Sequence, residues 1–156
     1  MTSGRTPAII VDIDGTVALR GTRGPFDWAR VGEDTPNRVV IDVIEAWSLT
    51  HPDHTIIVVS GRSDKCFLAT GLWLQHHLFD RLNQSRTRAG HPPLAEELHM
   101  RPEGDYRPDT DIKAEIYIDK IQRHYEVHFV LDDRNSVVKL WRDLGLTCLQ
   151  VAPGNF

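Results

Sequence analysis

Two carboxylates, Asp12 and Asp14 of Asp12-Ile13-Asp14-Gly15-Thr16, directly follow the apolar run Ala8-Ile9-Ile10-Val11. In an extended chain residues i and i+2 point to the same face, so both acids reach one spot. There they repel each other unless a cation lies between them. Gly15 lets the chain turn sharply just past the strand. Such a pair is suited to nucleophilic or acid–base chemistry beside a metal ion. A surface Asx-turn is the other common use of Asp with Gly, but such turns do not usually follow a fully apolar run.

Other reactive groups recur along the chain. Ser60-Gly61-Arg62 follows Thr55–Val59 and offers a hydroxyl, a tight turn and a guanidinium to an oxyanion. Asp132-Asp133-Arg134 follows Val127–Leu131; paired acids there suit a hard cation such as Mg²⁺, or cap the next helix. Lys113 opens a helical stretch with Asp109 four residues before it. Alone, a lysine there is as readily a solvated surface cation.

The elements that must position these groups are legible in the apolar pattern. The three runs named, and a fourth at Leu146–Val151, are short and rich in β-branched or bulky residues, as strands buried on both faces should be. Between them, helical spacing covers Val39–Trp47, Cys66–Phe79, a segment marked by Ile112, Ile116, Tyr117 and Ile121, and one marked by Val137, Val138, Leu140, Trp141 and Leu144. The last stops at Gly145, a natural helix-ending residue. This alternation predicts an α/β fold, a doubly wound parallel sheet with helices on both faces. Ligands of such sheets bind beyond the carboxyl ends of the strands, which is where both acid pairs and the Ser60 turn fall. Two regions interrupt the pattern. Residues 18–37 mix glycine, proline, arginine and aromatic residues and predict an irregular flap. Residues 81–110, rich in arginine and proline, predict a long connection with one strand at Glu97–Met100.

At 156 residues the expectation is one domain over residues 1–156. The apolar fraction of 40% is enough for an unstapled core. The net charge of -4 gives no global basic field, so any nucleic-acid contact must be a local patch. The arginines at 20, 23, 30 and 38 and at 81, 86, 88, 101 and 107 are the material for one, although solvated arginines are as common. Cys66 and Cys148 are too few for a disulfide framework or a Cys-rich zinc site and read as packing residues. The eight histidines fit no metal-binding spacing. Met1–Pro7 is too polar for a leader, and no run approaches the roughly 20 apolar residues of a membrane span. The expectation is a cytoplasmic protein without a membrane partner.

The combined order, strand-DxDGT, strand-SGR, Lys, strand-DD, resembles the haloacid dehalogenase superfamily of aspartyl phosphotransferases over Ile9 to Val151. The resemblance implies a Rossmann-like sheet with the first strand central. It implies Asp12 as the nucleophile that forms an aspartyl phosphate, and Asp14 as the general acid and base. Mg²⁺ would be held by Asp12, the Asp14 carbonyl oxygen and Asp132/Asp133. Ser60 and Lys113 would hold the phosphoryl oxygens, with Thr16 and Gly61 among the phosphate-binding positions.

Three segments, Gly21–Asp27, Val58–Arg62 and Asp132–Phe156, are similar to the 3′-phosphatase domain of phage-type polynucleotide kinase-phosphatases. That similarity implies that Arg23 and Arg62 contact the phosphate or the nucleic-acid end, and that Asp109 orients Lys113. The implied activity is Mg²⁺-dependent removal of 3′-phosphate, or of 2′,3′-cyclic phosphate, from DNA or RNA ends during end repair. No GxxxxGK[ST] phosphate loop is present, so the kinase half is absent and a separate or fused kinase or ligase is the expected partner. There is no room for a large cap, and an open site admits a polymer end. It also admits small phosphates, so a small-molecule phosphatase or nucleotidase is the first alternative. A non-catalytic end-binding module is the second. Phe26 and Trp28 on the flap either stack on a terminal base or anchor the flap to the core.

Overall fold

The computed structural model describes residues 4–156, so the first three residues of the polar Met1–Pro7 segment lie outside the described residues. Strand β1 (Thr6–Val11) is central in a five-stranded parallel sheet. A small antiparallel pair follows, β2 (Ala18–Leu19) with β3 (Thr35–Pro36). Next come helix α1 (Arg38–Thr50) and strand β4 (Thr55–Ser63). Helices α2 (Phe67–Leu74) and α3 (Asp80–Arg88) are joined through one wide π-helical turn, Gln75–Phe79. Strand β5 (Glu97–Arg101) leads to helix α4 (Asp109–Ile116), which ends in a second π-helical turn, Tyr117–Ile121. Strand β6 (Tyr125–Asp132), helix α5 (Asn135–Asp143) and strand β7 (Cys148–Gln150) complete the chain. The sheet order is β5-β4-β1-β6-β7.

Alternation along each strand builds two cores. Ile9, Val11, Ile56 and Val58 pack on one face with Ile41 and Ile44 of α1, Trp73 and Leu74 of α2, and Leu82 of α3. Ile10, Ile57, Val59 and Val130 pack on the other with Ile112 and Ile116 of α4 and Val137, Val138 and Trp141 of α5. A strand buried on both faces has no polar side to show, hence the unbroken apolar runs. Gly145 takes φ +85 just past α5, as a helix-ending glycine does. Cys66 and Cys148 are buried free thiols. No helix among the described residues is long and apolar enough to cross a membrane.

Three expectations needed revision. Strand β4 runs through the Ser60-Gly61-Arg62 triplet to Ser63, with its register to β5 shifting between Ser60 and Ser63. The Ser-Gly-Arg triplet is thus a bulged strand end and not a free turn. The flap at residues 18–37 is more regular than expected, closed by the β2–β3 pair and containing a 3₁₀ segment, Trp28–Glu33. The connection expected from residue 81 begins as helix α3, which ends only at Arg88. Its sequence, Asp80-Arg81-Leu82-Asn83-Gln84-Ser85-Arg86-Thr87-Arg88, is nearly all polar, so apolar periodicity could not mark it. Leu82 and the Arg86 side chain make its buried face.

Candidate active site

The carboxyl ends of β1, β4 and β6 converge on Asp12. Asp12 is buried, with Oδ1 accepting from Lys113 Nζ at 2.7 Å and Oδ2 accepting from the Thr16 hydroxyl at 3.1 Å. Lys113 is itself buried on α4 and also donates to Asp132 Oδ2 at 2.9 Å. Asp132 is fully engaged. Its Oδ2 also accepts from Trp141 Nε1 at 3.2 Å, and its Oδ1 accepts from the backbone N–H groups of Asp133 and Arg134. No side-chain hydrogen bond reaches the Asp133 carboxylate among the described residues. Oxygens of Asp12, Asp132 and Asp133 all lie within 4.8 Å of one another.

The titration of these groups follows from burial. Burial and the neighbouring Asp132 push the Asp12 carboxyl well above the usual carboxylate range, although Lys113 opposes them. Burial, then Asp132, pushes Asp133 up to about 6. Burial would strip the Lys113 proton, but Asp12, Asp132 and Asp109 together hold it well above the ordinary lysine value. Three buried acids share one buried ammonium, with Arg134 opposing the rise at Asp133, and every donor is a hard oxygen. That donor set fits a dication such as Mg²⁺, and the fit rests on Asp12, Asp132 and Asp133.

Asp14 belongs to a different group. Its side chain, 39% exposed, turns away from the three acids and toward two arginines. Arg62 donates from Nε to Asp14 Oδ2 at 2.9 Å and from Nη2 to Oδ1 at 2.8 Å; Arg23 donates from Nη2 to Oδ1 at 3.0 Å. Burial alone would raise the Asp14 carboxyl, but Arg62 and then Arg23 outweigh it and the net shift is downward. Both arginines also grip Asp34, Arg23 from Nε and Nη2 at 2.6 and 2.7 Å and Arg62 from Nη2 at 2.6 Å. Asp34 lies at the end of the flap's 3₁₀ segment, buried, with its carbonyl accepting from Trp73 Nε1 at 2.8 Å.

This geometry places the other expected residues. Arg23 and Arg62 are 4% and 1% exposed and both donate to the Asp14 carboxylate. The Thr16 hydroxyl donates to Asp12. Asp109 stands 3.8 Å from Lys113 Nζ, farther than Asp12 or Asp132, and also lies 3.5 Å from Arg101 Nη2 and 3.9 Å from Arg134 Nη1. Ser60 is buried and its hydroxyl accepts from the Arg62 N–H at 3.2 Å. Of the four acids expected near metal, the Asp14 carboxylate alone is outside the cluster, consistent with an expectation that placed only its carbonyl oxygen there.

Three glycines sit where a Cβ would overlap a neighbour, Gly154 against the Asp133 backbone and Gly15 and Gly61 at the site. Gly15 takes φ +78, and a Cβ there would overlap the Asp133 carboxylate; a Cβ at Gly61 would overlap the Asp109 carboxylate. Asp34 is the residue the sequence did not disclose. It sits in a polar flap, 22 positions after Asp12, and its partners are fixed only by folding.

The chain is similar to known proteins over nearly its whole length. A family model described as the polynucleotide kinase PNKP phosphatase domain matches residues 6–156. A putative bifunctional polynucleotide kinase/RNA ligase of Autographa californica nuclear polyhedrosis virus is 33% identical over 138 residues, 88% of this chain and 18% of the viral protein. A chain of the Pnkp1/Rnl/Hen1 RNA repair complex superposes with a TM-score of 0.80 at 32% identity, over 97% of this chain and 44% of that one. The chain therefore spans less than half the length of these two relatives. The D,D-heptose 1.7-bisphosphate phosphatase of B. bronchiseptica, at 16% identity and a TM-score of 0.51 over 92% of this chain and 79% of that one, shares the fold alone.

Proposed function

Because the chain belongs to the polynucleotide kinase PNKP phosphatase-domain family, we propose that it is a Mg²⁺-dependent polynucleotide 3′-phosphatase. It would remove terminal 3′-phosphate, and open 2′,3′-cyclic phosphate, at nucleic-acid ends under repair. The names of its relatives, a kinase/RNA ligase and an RNA repair complex, favour RNA ends and a separate or fused kinase or ligase as partner.

The observation that carries this reading is the fixed Asp12 carboxylate, clamped between Lys113 and Thr16 within a cluster of three buried acids. Asp12 attacks phosphorus and the ester oxygen leaves, giving an aspartyl phosphate. Asp14 is held ionised by Arg62 and Arg23 in the free enzyme, so it gains a proton from solvent as substrate enters, passes it to the leaving alcohol, and takes one back from the water that hydrolyses the aspartyl phosphate. Arg23 and Arg62, themselves locked by Asp34, hold Asp14 in place for both steps. Lys113 and the Ser60 hydroxyl offer hydrogen bonds to phosphoryl oxygens. A Mg²⁺ ion held by Asp12, Asp132 and Asp133 would neutralise phosphate charge. Asp133, without a side-chain donor of its own, is the most available ligand, whereas Asp132 is committed to Lys113 and Trp141.

The test is phosphate release from matched RNA and DNA oligonucleotides bearing a 3′-phosphate, a 5′-phosphate or a 2′,3′-cyclic phosphate, beside a mononucleotide, with Mg²⁺ and with EDTA. Mg²⁺-dependent release at the 3′ end, abolished by Asp12→Asn in a folded protein, is expected. Faster release from the mononucleotide would replace this reading with a nucleotidase, and an inactive wild type would leave only end binding.

A further inference from the structure

Tyr106 is 94% exposed, yet its loop is tightly braced. Residues 102–108 connect β5 to α4, which carries Lys113. Arg101 Nη1 donates to the carbonyl oxygens of Asp105 at 3.1 Å and Arg107 at 2.5 Å, the two neighbours of Tyr106. The Asp105 carboxylate receives the Arg107 backbone N–H at 3.1 Å and its guanidinium at 2.7 Å. Arg107 reaches on to Glu115 of α4 at 2.8 Å, and the Glu103 N–H is held by Asp64 at 2.8 Å.

The same Arg101 guanidinium ties the loop to the site. Its Nε donates to the Gly61 carbonyl oxygen at 2.8 Å, within the Ser60-Gly61-Arg62 strand end. Arg101 thus ties the backbone on both sides of Tyr106 to the strand end that carries Ser60. A braced backbone leaves the Tyr106 ring in water, where it gains nothing from the fold; a flat apolar partner arriving from solution would change that. Bases supply such partners whatever their sequence, because every base has a π-face.

We propose that Tyr106 is a stacking platform for a base near the 3′ end of the bound strand, giving the enzyme grip on a polynucleotide without sequence preference. This rests on the polynucleotide 3′-phosphatase reading. A contact made equally in ground and transition states appears in KM. Tyr106→Ala is expected to raise KM for a 3′-phosphorylated oligonucleotide about tenfold with kcat little changed, while Tyr106→Phe and Tyr106→Trp keep the wild-type KM.

The decisive experiment pairs these variants with oligonucleotides carrying an abasic site at each of the last three positions in turn. In the wild type one abasic position should cost about the same factor as the alanine substitution. In Tyr106→Ala that position should cost nothing more. Equal abasic penalties in wild type and Tyr106→Ala, or an unchanged KM in Tyr106→Ala, would overturn the stacking role. Either result alongside a wild-type preference for the oligonucleotide leaves the 3′-phosphatase reading standing. A wild type that prefers the mononucleotide takes both down.

Discussion

Two charge clusters meet beside Asp12 and Asp14 and are built on opposite plans. Asp14 and Asp34 face Arg23 and Arg62, two acids against two guanidiniums, closed by hydrogen bonds of 2.6–3.0 Å. Asp12, Asp132 and Asp133 face one buried cation, Lys113, with Arg134 acting on Asp133 besides. The first cluster is neutral and complete; its work is to fix the position and ionisation of one carboxylate. The second is deficient in positive charge and remains costly until a cation arrives. Buried ions are tolerated when paired and are strongly destabilising when one partner is removed. The balanced cluster is therefore the rigid mount of Asp14, and the unbalanced one is where a cation would be taken up.

The largest expected effect comes from deepening the imbalance. Lys113→Met leaves three buried acids with no buried cation. Breaking a buried pair costs about 3–5 kcal/mol, or on the order of 10 °C in melting temperature for a chain of this size. Phosphatase activity should fall more than about a thousandfold with the loss of a phosphoryl-oxygen donor. Adding Mg²⁺ should recover part of the lost melting temperature and none of the activity. If Mg²⁺ leaves that temperature unchanged, the acids do not form its site.

Opening the balanced cluster should behave differently. Asp34→Asn leaves Arg23 and Arg62 sharing one carboxylate, and Asp14 loses its fixed position. Misplacement of a catalytic group by about 1 Å can cost about 100-fold, so a loss of that order in kcat is expected, with KM little altered. Here Mg²⁺ should not recover melting temperature beyond the increment it gives the wild type. A large KM increase instead would mean that the arginines touch substrate.

Relieving the imbalance should stabilise. Asp133 is pushed up to about 6 by burial and Asp132, so its ionised form works against folding at neutral pH. In EDTA, Asp133→Asn should melt about 2–4 °C above the wild type, a shift matching about 1 kcal/mol, while activity is lost. In saturating Mg²⁺ the order should reverse, because a ligand stabilises only the state that binds it. A variant less stable than wild type in EDTA would break the contrast between the clusters.

The unbalanced cluster was far more legible in the sequence than the balanced one. Asp12, Asp132 and Asp133 each follow an apolar run, and a buried parallel strand announces its own carboxyl end. Asp34 and Arg23 lie in a flap with no periodicity. Arg62 was visible in the Ser60 triplet, but its direction was not, because the bulge between Ser60 and Ser63 sets where that side chain points. Helix α3 was hidden for a related reason. Arg86 fills its buried face with a guanidinium that donates to the carbonyls of Ser48, Pro52 and Pro92, a core role that no hydrophobic pattern records. Periodicity reports burial of apolar side chains; buried ions are satisfied by partners distant in sequence.

The smallest effect concerns a buried polar network with no ions. At the amino end of β4, His54 accepts the Trp47 indole N–H on Nδ1 at 3.1 Å, and Trp47 stacks on His51 and meets Phe129 edge-on. The rings of His51 and His128 lie within 4.9 and 4.4 Å of His54. Burial, then His128 and His51, lowers its pKa, and Asp53 opposes them only in part. Since the folded value lies below the unfolded one near 6.5, stability is fully present above that pH and declines as pH falls through it, where the unfolded chain binds the extra proton. A proton on Nδ1 would also cost the Trp47 hydrogen bond. The wild-type melting temperature should therefore drop by a few degrees between about pH 7 and pH 5. His54→Gln should start lower at pH 7 and lose most of that slope. An unchanged slope in the variant would move the proton elsewhere, with His128 the next site to replace.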